Sequence, residues 1–205
     1  MNYRLILKSS KTQPTSGSYS EWKEQIAEEC FYQCVYCSIH ENHWGGIDHF
    51  HIDHFRPKSF PEFKHLVNDI CNLFYSCPIC NRFKKDDFPA NPDLRVPSYP
   101  DPSVTDYSTI FNQNDSTFEI VGNNPAACYI IHRLYLNRPQ LIYERRESIL
   151  KEKETHLTQE IAHLASVTND KVLMSKALNL VSRVRTHLAK RERIRPYKLV
   201  EIRRP

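Results

Sequence analysis

The stretch "ICNLFYSCPICNRFKK", residues 70–85, decides which fold this chain can adopt. Residues 70–76 are rich in apolar and aromatic side chains, which favours a short strand or an extended loop. Cys77 and Cys80 follow with two residues between them, and a short helix is expected to begin at Asn81. Because a CxxC loop turns both sulfur atoms toward one point, the stretch predicts half of a cysteine cluster.

A second cysteine pair with the same spacing, "CVYC" at residues 34–37, lies about 40 residues earlier in the chain. Two such pairs form the tetrahedral four-sulfur site that zinc prefers, whereas one CxxC is equally typical of a redox motif. The expected ligands are Cys34, Cys37, Cys77 and Cys80. Since four thiolates leave no open position for water, we expect a structural Zn²⁺ ion that stabilises the fold.

The cysteine count supports metal binding over disulfides. Seven cysteines are an odd number, and the first 20 residues lack the apolar core of a secretory signal. We therefore expect a cytoplasmic protein with reduced cysteines, and no membrane association because no run of about 18 apolar residues occurs. Cys30, Cys71 and Cys128 are expected to be small buried apolar side chains.

A histidine-rich stretch, "HFHIDHFRPKS" at residues 49–59, lies between the two cysteine pairs. Residues 50–55 alternate as in a strand, which ends before Pro57. Histidine is the side chain best suited to activate a water molecule near neutral pH, and an aspartate is a ligand for hard divalent cations. Asp53 and His54 are therefore the strongest catalytic candidates, while the role of His51 stays open.

The order of these residues resembles that of the HNH nucleases, which carry a ββα-metal fold. The matching positions are "DHFRP" at 53–57, "NL" at 72–73, the second cysteine pair and Asn81. The longer "HIDHFRPKS" and the later "HRLYLNRPQLIYERR" at 132–146 are similar to a narrower branch. That branch comprises the PtuB-like HNH effectors of Septu-type anti-phage systems and of one retron class.

The resemblance implies a role for each matching residue. His54 is expected to be the general base, oriented by Asn72, while Asp53 and Asn81 hold a catalytic divalent ion. Many members have histidine at the position of Asn81, and the neutral amide oxygen favours Mg²⁺ or Mn²⁺ over softer metals. The resemblance also implies an anti-phage role beside an ATPase partner subunit.

Four basic residues flank the predicted site and are candidates for contact with nucleic acid. Arg56 and Lys58 surround Pro57, and Lys84 and Lys85 lie one turn into the predicted helix. Each of them fits a phosphate contact about as well as it fits a solvated surface charge.

The charge distribution separates the chain into an acidic and a basic part. Residues 1–127 carry 11 Lys and Arg against 16 Asp and Glu, a net charge of −5, and residues 128–205 carry 17 against 8, or +9. The basic residues near the end are Arg183, Arg185, Lys190, Arg191, Arg193 and Arg195. Three interpretations remain: a nucleic-acid contact, a docking surface for an acidic partner, or an exposed face.

These observations predict an α+β protein: a zinc-stapled ββα-metal nuclease core with an added β-hairpin at 107–122 and C-terminal helices at about 139–165 and 169–195. The hairpin is expected to turn around Asn112 to Asp115, and Asn169 or Asp170 is expected to cap the last helix. The expected organisation is a loose arm (1–18), the core (19–95) and a hairpin-plus-helix region (96–205). The expected activity is metal-dependent hydrolysis of DNA. Two alternatives are the same chemistry on RNA such as tRNA, and a non-catalytic zinc-dependent module that binds nucleic acid or protein.

Overall fold

A computed structural model describes residues 3–167 and 170–192 of the chain. The predictions for Asn169, Arg193 and Arg195 lie outside these residues. The described part combines helices with two small antiparallel sheets, which confirms the mixed α+β class. It divides into two compact units, residues 1–141 and 142–205. Within the described residues, no helix has the length and apolar character needed to cross a membrane.

The first unit begins with a segment that packs into the core rather than forming a loose arm. Tyr3 and Ile6 are buried, the Tyr3 hydroxyl donates to the Tyr36 carbonyl, and the Ile6 amide donates to the Pro102 carbonyl. Their apolar side chains explain the difference from the prediction, since exposing both would forfeit about 1.5–3 kcal/mol for each large side chain. Helix α1, Lys23–Glu29, follows.

The central sheet pairs strand β1, His51–His54, with strand β2, Leu73–Ser76. The strands are antiparallel, and Asp53 lies opposite Phe74 while His54 lies opposite Leu73. Helix α1 packs against both strands, and helix α2, Pro78–Lys84, packs against β1. Both strands were expected from the sequence, and their order with α2 produces a strand–strand–helix unit.

Helix α2 begins at Pro78, three residues before the predicted start. The Cys77 sulfur accepts the Cys80 amide hydrogen at the helix N-terminus, and proline is favoured in the first turn because its missing N–H is not needed there. The second cysteine pair is therefore part of the helix start, and Asn81 lies within the first turn and a half rather than at its beginning.

The remainder of the first unit is a short helix, a hairpin and a longer helix. Helix α3, Tyr107–Ile110, leads into strands β3, Phe111–Gln113, and β4, Ile120–Gly122, which pair as the predicted hairpin with a turn farther along than expected. Helix α4, Pro125–Arg133, packs on β4. A Cβ atom at Gly122 would lie 2.6 Å from the Cys128 amide nitrogen, so this close approach requires glycine.

Two long helices complete the described chain. Helix α5, Pro139–Val167, runs from the end of the first unit into the second, and helix α6 is Lys171–Glu192. The Asp170 carboxylate accepts the Val172 amide hydrogen and caps α6, as one of the two predicted capping residues. The predicted domain boundaries at 18 and 95 stay predictions.

Candidate functional site

The four predicted cysteines converge on one buried point. Their sulfur atoms all lie within 4.8 Å of one another, and the Sγ atoms of Cys37 and Cys77 are 3.8 Å apart. A tetrahedral ion with Zn–S bonds of about 2.3 Å places its sulfur ligands about 3.8 Å apart. The four-cysteine group can therefore hold a zinc ion, as the sequence predicted.

The backbone of the first cysteine pair turns sharply to aim its sulfurs inward. The Ser38 amide donates to the Cys34 carbonyl and the Cys34 amide donates to the Ile39 carbonyl, which closes the loop. Ser38 has a φ of 55°, in the left-handed region that such a turn requires. The Val35 amide donates to the Tyr75 carbonyl, so the loop is also fixed to strand β2.

The burial of the cluster favours the protonated thiol at two of its four cysteines. Burial raises the pKa of the Cys34 and Cys80 thiols well above the usual value. Hydrogen bonds from the neighbouring cysteines instead lower the pKa of Cys77. A bound Zn²⁺ ion offsets the cost of burying thiolates, because metal binding replaces the protons on its ligands.

A second group of residues lines an open cavity of about 290 Å³ beside strand β1 and helix α2. Asp53 and His54 reach it from β1, and Asn81 reaches it from α2. The predicted catalytic residues Asp53, His54 and Asn81 are thus brought together at one surface. The cavity is also lined by Tyr19, Ile52, Pro57, Lys58, Arg82, Lys85 and Asp86.

Asp53 is buried and is held by two side chains from different elements. Its Oδ2 atom accepts the Tyr36 hydroxyl at 2.6 Å, and the Lys84 ammonium lies 3.3 Å from Oδ1 and 3.2 Å from Oδ2. Burial and the charge of Asp53 raise the pKa of Tyr36 well above its usual value, so its phenol keeps the donated proton. Because Tyr36 lies between Cys34 and Cys37, the carboxylate is connected directly to the cysteine cluster.

The position of Lys84 corrects its predicted role. Its side chain is fully buried, and its ammonium also donates to the His54 carbonyl at 2.9 Å. A contact with nucleic acid needs an exposed ammonium, whereas this one is the counter-charge of Asp53. The neighbouring Lys85 is exposed and lines the cavity, where it can contact a phosphate.

The hydrogen bond of His54 defines its tautomer. The ring Nε2 lies 3.0 Å from the Val67 carbonyl oxygen, which can only accept, so the hydrogen is on Nε2. Among the described residues no hydrogen-bond partner is found for Nδ1, which is left with a lone pair. Burial lowers the pKa of His54 from 6.5, an effect that the Lys58 charge reinforces and the Val67 carbonyl opposes.

Asn72 does not hydrogen-bond to His54, which corrects the expected orienting role. Its side chain instead accepts the Arg56 amide at 2.8 Å and donates to the Arg56 carbonyl at 3.1 Å and the Leu66 carbonyl at 3.3 Å. These bonds join the end of the loop between β1 and β2, at Asn72, to its beginning at Arg56. Since Leu66 precedes Val67, Asn72 acts on His54 only through the loop that carries the Val67 carbonyl.

Tyr19 is a site residue that the sequence reasoning did not identify. Its ring packs edge-on against the His54 ring with 4.7 Å between centroids, and its hydroxyl accepts the Lys58 ammonium at 2.8 Å. Its backbone amide donates to the Asn68 side chain. No local pattern distinguishes this tyrosine, because its contacts with Lys58 and Asn68 cross some 40 to 50 residues of sequence.

The remaining predicted basic residues differ in position. Lys58 is exposed at the rim of the cavity, as expected for a phosphate contact. Arg56 is half-buried, its guanidinium lies 5.8 Å from the Phe55 ring centroid, and it lines a different cavity of about 550 Å³. His51 is exposed and does not line the cavity of Asp53.

The residues at this cavity fit a hard divalent ion in their donor chemistry. Mg²⁺ is commonly held by one or two protein carboxylates together with water and substrate phosphate, and Asp53 and Asn81 offer a carboxylate and an amide oxygen. The ammonium of Lys84 already contacts both oxygens of Asp53. A metal ion bound by Asp53 would therefore share this carboxylate with the buried Lys84 ammonium.

Comparisons of the chain with protein-family models, with curated proteins and with solved structures found no match. The site is therefore interpreted from its own chemistry.

Proposed function

We propose that the protein is a metal-dependent endonuclease of the HNH type, which hydrolyses phosphodiester bonds in nucleic acid, with DNA as the favoured substrate. One observation carries the proposal: Asp53 and His54 on a strand and Asn81 on the adjacent helix line a single cavity. The strand–strand–helix order agrees with the ββα-metal core that the sequence resembles, and the cysteine cluster lies at the start of the same helix.

His54 is the proposed general base. Its Nδ1 lone pair accepts a proton from a water molecule while the water oxygen forms a bond to phosphorus. The bond from phosphorus to the leaving 3′-oxygen breaks, and that oxygen takes a proton from solvent. The Val67 carbonyl holds the Nε2–H tautomer, and the T-shaped packing of the Tyr19 ring on the imidazole limits its rotation.

Asp53 and Asn81 are the proposed protein ligands of Mg²⁺ or Mn²⁺. When bound, the ion neutralises charge on the phosphate and on the leaving oxygen. Tyr36 and Lys84 fix the direction of the Asp53 carboxylate, so that it does not have to be ordered when substrate binds.

Lys58 and Lys85 are the proposed phosphate contacts, because both are exposed at the cavity. Contacts with phosphate recognise the charge of the backbone and not the identity of the bases. The affinity for nucleic acid should therefore fall as the salt concentration rises. The same chemistry applies to RNA such as tRNA, which stays the first alternative.

A second candidate function is a non-catalytic binding module stabilised by zinc. The observation that favours it is the pairing of both Asp53 oxygens with Lys84, which lowers the net charge offered to a metal ion. The two candidates differ in one respect: only the enzyme requires the imidazole of His54.

The anti-phage role beside an ATPase rests on the resemblance to PtuB-like effectors. Cleavage by the protein alone and in the presence of any ATPase encoded by a neighbouring gene tests this part. Cleavage that depends on the ATPase and its nucleotide is expected, and no effect of the ATPase would contradict a shared complex.

The catalytic proposal is tested with zinc-loaded protein, plasmid DNA or total tRNA, and Mg²⁺. His54→Ala is expected to lower the cleavage rate by about 10²–10⁴-fold, the usual contribution of a general base. The matched control is His65→Ala, since His65 is exposed and does not line the cavity. Equal rates for wild type and His54→Ala, or no cleavage of either substrate by wild type, would favour the binding module.

A further inference from the structure

Arg138 lies directly over the cysteine cluster, although it is 58 residues from Cys80 in sequence. Its two terminal guanidinium nitrogens are 3.8–3.9 Å from the sulfur atoms of Cys37, Cys77 and Cys80. These distances are within the range of an N–H···S hydrogen bond. One arginine thus contacts three of the four proposed zinc ligands.

A sharp turn between helices α4 and α5 places the arginine there. Tyr135 has a φ of 49°, and the Arg138 amide donates to the Tyr135 carbonyl, which reverses the chain after α4. The Asn137 side chain donates to the Ile120 carbonyl and accepts the Ile120 amide, so the turn is held against strand β4. The guanidinium also donates to the Leu134 carbonyl at 3.2 Å.

The net charge of a zinc-bound cluster explains why an arginine lies over the cysteine sulfurs. Four thiolates and one Zn²⁺ ion carry a net charge of −2, and a buried net charge is costly unless it is paired. The Nε atom of Arg138 is buried without a hydrogen-bond partner among the described residues, and burying a polar group in this way is unfavourable. An uncharged cluster of four thiols would not offset that cost, whereas an anionic cluster does.

We propose that Arg138 is the counter-charge of the zinc–tetrathiolate centre and that it sets how tightly the zinc ion is held. Its N–H groups stabilise the negative charge on the sulfur atoms of Cys37, Cys77 and Cys80, so that these three thiolates dissociate less readily from the metal. The proposal concerns the metal centre alone and does not depend on the nuclease activity.

The test measures zinc release from purified protein in excess chelator, with a colorimetric zinc indicator. Arg138→Gln is expected to release zinc about 10–100-fold faster, the usual effect of losing a group that hydrogen-bonds to a metal ligand. Arg138→Lys keeps the charge but loses the planar fork, and an intermediate rate is expected. Arg133→Gln is the matched control, because Arg133 pairs with Asp87 and contacts no cluster sulfur among its described contacts.

Replacing zinc with cobalt adds a second measurement, the wavelength of the sulfur-to-cobalt charge-transfer band. Substitution of Arg138 would not shift this band if the residue had only a structural role. Hydrogen bonds to sulfur lower the energy of its lone pairs, so their loss in Arg138→Gln shifts the sulfur-to-cobalt charge-transfer band to longer wavelength. Zinc release and a band position equal to wild type would overturn the proposal. If Arg138→Gln does not accumulate as folded protein, Arg138→Lys decides: faster release than wild type supports the proposal, and an unchanged rate contradicts it.

Discussion

His54 is buried, and it makes a hydrogen bond that fixes one of its two neutral forms. The Val67 carbonyl takes the Nε2 hydrogen, so the lone pair of Nδ1 is the basic position of the ring. Lys58 and Lys84 both place positive charge near the imidazole and disfavour its protonation, while Asp53 opposes them. The residue is therefore set to be neutral, which is the form that a general base needs.

This environment predicts the pH dependence of the imidazole. Because burial and Lys58 lower the pKa of His54 from 6.5, the ring should stay neutral to a pH below 6.5. The acid limb of kcat/KM for cleavage should accordingly lie below pH 6.5, and NMR titration of the ring without Mg²⁺ should give a pKa below that value. Lys58→Ala should raise this pKa, since it removes a cation.

A His54 pKa above 6.5, or one unchanged in Lys58→Ala, would contradict the described environment.

Sequence could nominate Asp53, His54 and Asn81 because their types and order carry the resemblance, and the structure places all three at one cavity. Their catalytic roles stay predictions. The sequence could not show which of the two adjacent lysines, Lys84 or Lys85, is buried and which is exposed. Only the packing of helix α2 on strand β1 determines that one ammonium is buried against Asp53 and the other is exposed. Tyr19 and Arg138 were missed for the same reason, since their contacts depend on tertiary structure.

Strands β1 and β2 and the helix after them were predictable at the scale of elements, because each follows a short local pattern. The start of α2 was misplaced because the cysteine pair and Pro78 were interpreted as a loop before the helix. In the structure the Cys77 sulfur replaces the oxygen of a usual N-cap residue. The turn of the β3–β4 hairpin was also misplaced, since Asn112 and Gln113 belong to β3.

A buried ion pair, Lys84 with Asp53, joins helix α2 to strand β1, and we expect the contact of these two elements to depend on it. Lys84→Met leaves the carboxylate buried without its cation, and we expect the free energy of unfolding to fall by about 3–5 kcal/mol, as for other broken buried pairs. Denaturant unfolding of zinc-loaded protein measures this loss.

Lys85→Met is the matched control, because the neighbouring lysine is exposed, and its effect should stay within about 0.5 kcal/mol. If Lys84→Met were as stable as wild type, the pairing of Lys84 with Asp53 would not be the interaction that holds the two elements together.

For the first unit as a whole, the cysteine cluster joins two distant parts of the chain. Cys34 and Cys37 follow helix α1, while Cys77 and Cys80 begin helix α2, and the candidate catalytic strand β1 lies between them. Structural zinc sites contribute roughly 10–16 kcal/mol in small zinc-dependent peptides, more than the stability of most domains. Zinc removal should therefore unfold this unit and not merely loosen it.

Chelator titration followed by circular dichroism tests this expectation. Cys77→Ser should bind zinc more weakly than wild type does. It should also lose the cooperative thermal transition of the first unit. Cys128→Ser is the control, because Cys128 is exposed and outside the cluster. A Cys77→Ser protein that melts like wild type would show that the cluster is not a structural metal centre.

The structure does not distinguish among the three interpretations of the basic residues in the second unit. Arg183 and Arg185 are exposed on helix α6, which agrees equally with the three interpretations drawn from the sequence. Net charge and its distribution could be read from composition, but a binding partner could not, because charge alone selects no partner.

In the proposed mechanism, Asp53 and Asn81 hold a divalent ion at which His54 promotes cleavage of nucleic acid. Asn81→Ala tests it more cleanly than a change at Asp53, which would leave Lys84 buried without its partner. The measurement is the rate of plasmid cleavage by zinc-loaded protein as a function of Mg²⁺ concentration. We expect no cleavage by wild type without Mg²⁺. For Asn81→Ala we expect a Mg²⁺ requirement raised about tenfold or more, equivalent to about 1.4 kcal/mol of lost binding. Cleavage that is independent of Mg²⁺, or a Mg²⁺ requirement that is the same in Asn81→Ala and wild type, would contradict it.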